Sequence, residues 1–227
     1  MKLATLLRYA EFDAKGPDAV WNTRFYIGNG FEKMAREHNI GLVAIMTEYD
    51  IESVLKECDG LVIPGSATNI NPEYYGGEPW QTPEPVDEYG FDRKIIDEFV
   101  KAGKPIFGVC GGMQELNVYF GGTMKMIDQK GSHNNTRHLI DITPDSFVYD
   151  VYQNLEAEIN SYHNWELEKV AQGFEVVARS KEGIIEAIEC KEKNIFAVQW
   201  HPELNYNAED HIEDKFFKNF IKCCKNK

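Results

Sequence analysis

The segment Lys104-Pro-Ile-Phe-Gly-Val-Cys110-Gly-Gly-Met-Gln114 constrains this chain more than any other stretch. An apolar run ends in Gly108-x-Cys110-x-Gly112, and residues of helical character follow. A strand, a sharp turn and a helix in that order present a nucleophile at the top of a sheet, here with sulfur in place of the usual serine oxygen. The backbone of such a turn is strained, so the residues beside the nucleophile must carry no bulk. A thiol in this position needs a base. Val198-Gln-Trp-His201-Pro-Glu203 offers an imidazole and a carboxylate two residues apart. Cys110, His201 and Glu203 are therefore a candidate triad for thiol acyl transfer.

The apolar pattern sets the frame around that turn. Leu3–Leu7, Leu42–Met46, Leu61–Ile63 and Pro105–Gly108 read as strands, and Thr23–Glu37, Ile51–Glu57 and Phe91–Lys101 read as helices. Alternating strands and helices, with strands that are near-continuous apolar runs, predict a parallel sheet covered on both faces. Ligands of such sheets bind beyond the carboxyl ends of the strands, so Cys110 and the Pro64-Gly65 turn are expected at one rim. The long piece from Ser66 to Gly90 is rich in Pro, Gly, Asn and Tyr, and is expected to be an ordered, functional loop. In the second half Leu139–Ile142, Glu158–Ser161, Phe174–Ala178, Ile184–Ile188 and Ile195–Gln199 follow one another as short strands, punctuated by Gly173, Gly183 and Lys193-Asn194. They predict an antiparallel extension of the same sheet. A last helix is expected over Ala208–Lys222, with Ile212, Phe216, Phe217 and Phe220 on one face. No linker or repeat interrupts the chain, which reads as one α/β domain over residues 1–227.

The chemistry expected at the rim follows from the residue types. Only the thiolate is a strong nucleophile, and both a helix N-terminus and an imidazole favour it at Cys110. Glu203 is placed to accept the second ring N–H of His201 and fix its orientation. Backbone N–H groups at the start of the helix, Gly111 first, suit an oxyanion, with a second donor from the Pro64-Gly65-Ser66 turn. A net charge of −13 leaves no basic stripe for nucleic acid and disfavours anionic membranes. No apolar run approaches the roughly 20 residues that cross a bilayer. Arg8, Glu11 and Asp13 interrupt the apolar start, which reads as a first strand rather than a signal peptide, so a cytoplasmic location with reduced thiols is expected. Five cysteines without metal-type spacing, Cys58 and Cys190 among apolar residues and Cys223-Cys224 in a basic tail, suggest no metal site, and no cofactor is expected. His38, His133, His138 and His211 lack a partner motif and read as surface or structural. His163 stands apart, in Asn160-Ser-Tyr-His-Asn164 at a predicted strand end.

Five motifs, in order, resemble the class I glutamine amidotransferase-like superfamily, and within it the gamma-glutamyl-gamma-aminobutyrate hydrolase type. They are Pro64-Gly-Ser-Ala-Thr-Asn-Ile-Asn-Pro-Glu-Tyr-Tyr-Gly76, Gly108-Val-Cys-Gly-Gly-Met-Gln-Glu-Leu-Asn-Val118 with Gly121-Gly122, Asn160-Ser-Tyr-His163, Glu182-Gly-Ile-Ile-Glu-Ala187 and Val198-Gln-Trp-His-Pro-Glu203. The resemblance implies a flavodoxin-like three-layer fold and hydrolysis of a gamma-glutamyl amide through a thioester. It matches Cys110 to the nucleophile, His201 to the base, Glu203 to its orienting partner, and Gly65 and Gly111 to the oxyanion hole. Gln114, Ser161, Tyr162 and His163 match the region that holds the amino-acid end of the glutamyl group. The implied partner is a small gamma-glutamyl substrate; a homodimer is compatible with it. The alternative is a glutaminase subunit that delivers ammonia to a separate synthetase. Gly111 stands where many polyamine-pathway relatives have arginine, and Phe91-Asp92 where an Arg-Asp pair is usual, so the leaving amine need not be gamma-aminobutyrate.

Overall fold

The computed structural model describes residues 1–11, 23–82, 84–128, 132–205 and 212–225. The chain enters through β1 (Lys2–Leu6), then β2 (Arg8–Glu11) paired antiparallel with β3 (Thr23–Tyr26), α1 (Asn29–Glu37), β4 (Gly41–Ile45), α2 (Ile51–Glu57), β5 (Gly60–Ile63), α3 (Glu88–Lys101), β6 (Ile106–Val109) and α4 (Gly111–Tyr119). The second half adds β7 (Thr123–Met126), β8 (Asn134–Ile142), α5 (Phe147–Tyr152), β9 (Glu156–Tyr162), β10 (Trp165–Lys169), β11 (Glu175–Ser180), β12 (Ile185–Cys190), β13 (Ile195–Val198) and α6 (Asp214–Lys225).

Nine of these strands form one mixed sheet in the order β4-β1-β5-β6-β13-β12-β11-β8-β9. The first five run parallel, and from β13 onward each pairing is antiparallel. Counted along the chain, the parallel strands take the 2-1-3-4-5 order of flavodoxin-like sheets. Successive residues of the parallel strands point into two different cores. Val62, Phe107 and Val198 pack with Phe31 and Met34 of α1 and Phe216, Phe217 and Phe220 of α6. Their neighbours Leu61, Ile63, Ile106 and Ala197 pack with Val54 of α2, Ile96 and Phe99 of α3, and Met113 and Leu116 of α4. Burial on both faces is why these strands read as unbroken apolar runs. Each fully buried Leu, Ile, Val or Phe contributes roughly 1.5–3 kcal/mol over an exposed one.

The α/β expectation holds, and several boundaries move. The predicted helix over Thr23–Glu37 is a strand followed by a shorter helix, because Thr23–Tyr26 pairs with β2 and Gly28 ends the strand at the N-cap of α1. α3 begins at Glu88, ahead of the expected Phe91, because the Asp87 side chain caps it by accepting from the Gly90 N–H at 2.9 Å. β7 and β10 form a separate antiparallel pair and α5 is a six-residue helix; neither was expected. The last helix is described from Asp214, and Ala208 and His211 lie outside the described residues. Phe216, Phe217 and Phe220 face the core as the spacing predicts. Among the described residues no helix is long and apolar enough to cross a membrane.

Candidate active site

Strand order assembles the rim. β6 lies between β5 and β13, so the residue after β6 is flanked by the turn after β5 and the segment after β13. Those three segments carry Cys110, Gly65 and His201. The Cys110 N–H donates to the Val198 carbonyl at 2.8 Å, which ties the end of β6 to β13. Cys110 has φ 51° and ψ −107°, a left-handed conformation that a cysteine holds only under constraint from its surroundings.

The glycines around it are a packing requirement. A Cβ on Gly108 would lie 2.8 Å from the Gly112 backbone, and one on Gly112 would lie 2.3 Å from the Ile63 carbonyl oxygen. A Cβ on Gly111 would sit 2.9 Å from the Ser66 nitrogen, so a side chain there would require this backbone to shift. At Gly65 a Cβ would meet His201 Cε1 at 2.5 Å, Cys110 Cβ at 3.2 Å and His201 Nε2 at 3.3 Å. That point measures how closely the thiol arm, the imidazole and the turn converge. Gly111 is the first residue of α4, where backbone N–H groups have no acceptor inside the helix.

His201 is held from three directions. Its Nδ1 is 2.7 Å from Glu203 Oε1. Its backbone is clamped by one side-chain amide: the His201 N–H donates to Asn160 Oδ1 at 2.9 Å, and Asn160 Nδ2 donates to the His201 carbonyl at 2.8 Å. The Tyr162 ring meets the imidazole edge-on, with centroids 5.7 Å apart. Burial opposes the charged imidazolium. Attraction to and hydrogen bonding with Cys110, and the Glu203 carboxylate, outweigh that and push the His201 pKa up to about 11. Glu203 is itself buried in a single 3-10 turn, Pro202–Asn205, and α1 lies directly on its backbone. A Cβ on Gly30 of α1 would stand 2.2 Å from the Glu203 carbonyl oxygen.

The Pro64-Gly65-Ser66 turn rests on buried charge. Arg8 of β2 is 1% exposed and donates to the Pro64 carbonyl from Nε at 3.1 Å and Nη2 at 2.8 Å. The same guanidinium bonds Asp92, lies 3.1 Å from Glu115 and 3.7 Å from Glu88. Glu88 in turn accepts from the hydroxyls of Ser66 and Thr68. Burial, opposed by Arg8 and reinforced by the neighbouring carboxylates, raises the Glu115 pKa well above the ordinary carboxylate range, and raises Asp92 in the same sense.

The expected residues do not all meet at the rim. Cys110, His201, Glu203, Gly65, Gly111 and Tyr162 do. Gln114 is linked to them through a residue that the sequence did not mark: its Nε2 donates to Gln199 Oε1 at 3.2 Å, and Gln199 Nε2 stands 3.5 Å from Cys110 Sγ. Ser161 and His163 direct their side chains elsewhere. Ser161 follows Asn160 on β9, so alternation turns its hydroxyl away from His201 and onto the His133 carbonyl at 2.6 Å. The His163 ring is 2.9 Å from the Trp165 carbonyl through Nδ1 and faces Glu186 with Nε2. Asn160, Gly30 and Arg8 were missed as site residues. Asn160 stood inside a quoted motif, but Arg8 and Gly30 carry no local pattern. Over the rim, the loop after β5 sets Trp80 against Trp165 with ring centroids 6.0 Å apart, and the Trp165 carbonyl is 3.3 Å from Gln114 Nε2.

The chain is similar to known proteins in sequence and in fold. The chain is 32% identical over 216 residues to the glutamine amidotransferase-like protein YvdE of Lactococcus lactis, covering 88% of this chain and 89% of that one. It is 29% identical over 200 residues to the gamma-glutamyl-gamma-aminobutyrate hydrolase PuuD of Escherichia coli, covering 78% and 76%. A glutamine amidotransferase structure from Thermotoga maritima superposes with a TM-score of 0.71 over 100% of this chain and 98% of its own length, at 12% identity, which speaks to the fold alone. The family model for peptidase C26 matches residues 20–203. The chain belongs to the peptidase C26 family of class I glutamine amidotransferase-like proteins.

Proposed function

We propose that this protein hydrolyses small gamma-glutamyl amides through a thioester on Cys110. The observation that carries this reading is the single point at Gly65 where the Cys110 arm and His201 Nε2 converge, while Glu203 holds the opposite ring nitrogen at 2.7 Å. Cys110 Sγ attacks the side-chain carbonyl of the glutamyl group and its proton resides on His201. The oxyanion forms between the N–H groups of Gly111 and Gly65; one such donor is worth on the order of 3 kcal/mol in the transition state. Collapse breaks the C–N bond, and His201 gives its proton to the leaving amine. Water, deprotonated by His201, then attacks the thioester and releases glutamate and the free thiol. Glu203 keeps the imidazole oriented through both halves. Gln114 and the backbone at Ser161-Tyr162 hold the amino-acid end, and the amine leaves past the Trp80–Trp165 contact.

The test is a substrate panel on the isolated protein: glutamine, gamma-glutamyl-gamma-aminobutyrate and gamma-glutamyl conjugates of other small amines. Turnover of one or more conjugates without a partner is expected. Hydrolysis confined to glutamine and dependent on an added synthetase would replace this reading with the ammonia-delivering one.

A further inference from the structure

A second group of reactive side chains lies outside the proposed catalytic set. His133 immediately precedes β8, His138 lies on β8, His163 follows β9 and Glu186 lies on β12. Glu186 is 0% exposed, in the middle of a strand whose six residues are all buried. Its Oε1 is 3.1 Å from His138 Nε2, 3.4 Å from His133 Nδ1 and 3.7 Å from His163 Nε2. One donor atom from each of His133, His138 and Glu186 falls within 4.8 Å of the other two. The rings crowd together, with centroids of His133 at 4.4 Å from His138 and 5.1 Å from His163.

These distances discriminate between two kinds of cluster. A carboxylate paired with imidazolium rings draws them to hydrogen-bond length, below about 3.2 Å for N–H···O. Only the His138 contact is that short. Donors around a tetrahedral zinc ion, with bonds of about 2.0–2.1 Å, stand about 3.3 Å apart, and the His133 and His138 nitrogens stand at that distance from Glu186 Oε1. The orphaned atoms agree. Within the cluster His133 Nδ1, His138 Nδ1, His163 Nε2 and Glu186 Oε2 are buried and make no hydrogen bond. His163 stands beside the three: its Nδ1 is 2.9 Å from the Trp165 carbonyl, which as acceptor places the proton there and turns the Nε2 lone pair toward Glu186.

We propose that His133, His138 and Glu186 bind one divalent cation of the zinc class. Imidazole with a single carboxylate suits zinc better than the harder cations. The three donors are set among buried residues away from the proposed catalytic set, which makes the role of the cation one of support. The cation joins β8 and β12. The His133 carbonyl accepts from the Ser161 hydroxyl and the His163 N–H, so the strand bearing Asn160, and through it His201, is anchored on this cluster.

The experiment is zinc titration of the full chain, stripped with chelator, against a chromophoric competitor, together with X-ray absorption at the zinc edge. Cys110→Ala is titrated in parallel, because a thiolate with a nearby imidazole binds zinc on its own. One equivalent is expected to bind below about 1 μM in both proteins, and to weaken by at least about 100-fold in His138→Ala. The absorption spectrum of the wild-type chain, which needs no variant to fold, is expected to show nitrogen and oxygen near 2.0 Å with imidazole scattering. No saturable equivalent, undiminished binding in His138→Ala, or a sulfur shell near 2.3 Å overturns the proposal.

Discussion

Arg8 meets three carboxylates beneath the Pro64-Gly65 turn, whereas Glu186 meets three imidazoles beside β9. The two buried clusters flank the same rim and are built in opposite senses. In the first, a guanidinium is outnumbered by acids, and burial raises Glu115 and Asp92. In the second, burial would also raise Glu186, but the imidazoles outweigh it and hold the carboxyl well below its usual range. The first supports the turn that supplies Gly65; the second supports the strand that supplies Asn160. Both act at a distance from the reacting atoms, and the comparison teaches that the three proposed reacting groups rest on charge buried on either side of them.

The largest expected effect belongs to the centre between the clusters. Cys110→Ala should lower turnover by at least about 10⁴-fold, as loss of a nucleophile commonly does, and leave the denaturant midpoint near that of the wild type. Steady-state assays and urea unfolding report both, and retained turnover would remove Cys110 from the mechanism.

Next comes Arg8→Met, which leaves buried acids without their cation. It should cost about 3–5 kcal/mol of stability in urea or guanidinium unfolding. A cost below about 1 kcal/mol would mean that the acid-rich cluster is not held together by Arg8.

Asn160→Ala and Gly30→Ala then ask whether positioning can be separated from chemistry. The first releases the His201 backbone, and the second drives a methyl group into the Glu203 carbonyl. Each is expected to lower kcat by about 10–100-fold with a smaller change in KM. A rise in KM alone would place both residues in substrate binding instead.

The smallest effect is a pH dependence. Glu115 has a folded-state pKa raised above the 4.5 of an ordinary glutamate. Its contribution to stability is therefore fully present below pH 4.5 and is lost as pH rises through the raised value. Glu115→Gln should flatten the fall in unfolding midpoint as pH rises above 4.5. An unchanged slope would assign that fall to other groups.

The rim was legible in the sequence because its requirements are local. Gly108, Gly111 and Gly112 crowd one turn, so their steric need is written within five residues of chain. The parallel strands were legible because burial on two faces produces unbroken apolar runs. Thr23–Tyr26 was misread because Phe25 and Ile27 fit a helical rhythm, while the partner that makes the segment a strand, β2, lies across a long connection. Arg8 registered only as an interruption of an apolar run; its role depends on Pro64, Asp92 and Glu115 from three other elements. The histidine cluster was invisible for the same reason. His133, His138, His163 and Glu186 have no metal-type spacing, and only the pairing of β8 with β9 and the packing of β12 bring them together.

The central claim is the thioester on Cys110. Its most direct measurement is intact-protein and peptide mass spectrometry after acid quench of the wild-type enzyme turning over a gamma-glutamyl amide. The account predicts a mass gain of one glutamyl group, mapped to the peptide that contains Cys110 and absent in Cys110→Ala. Turnover with no adduct, or an adduct mapped to another residue, would contradict it.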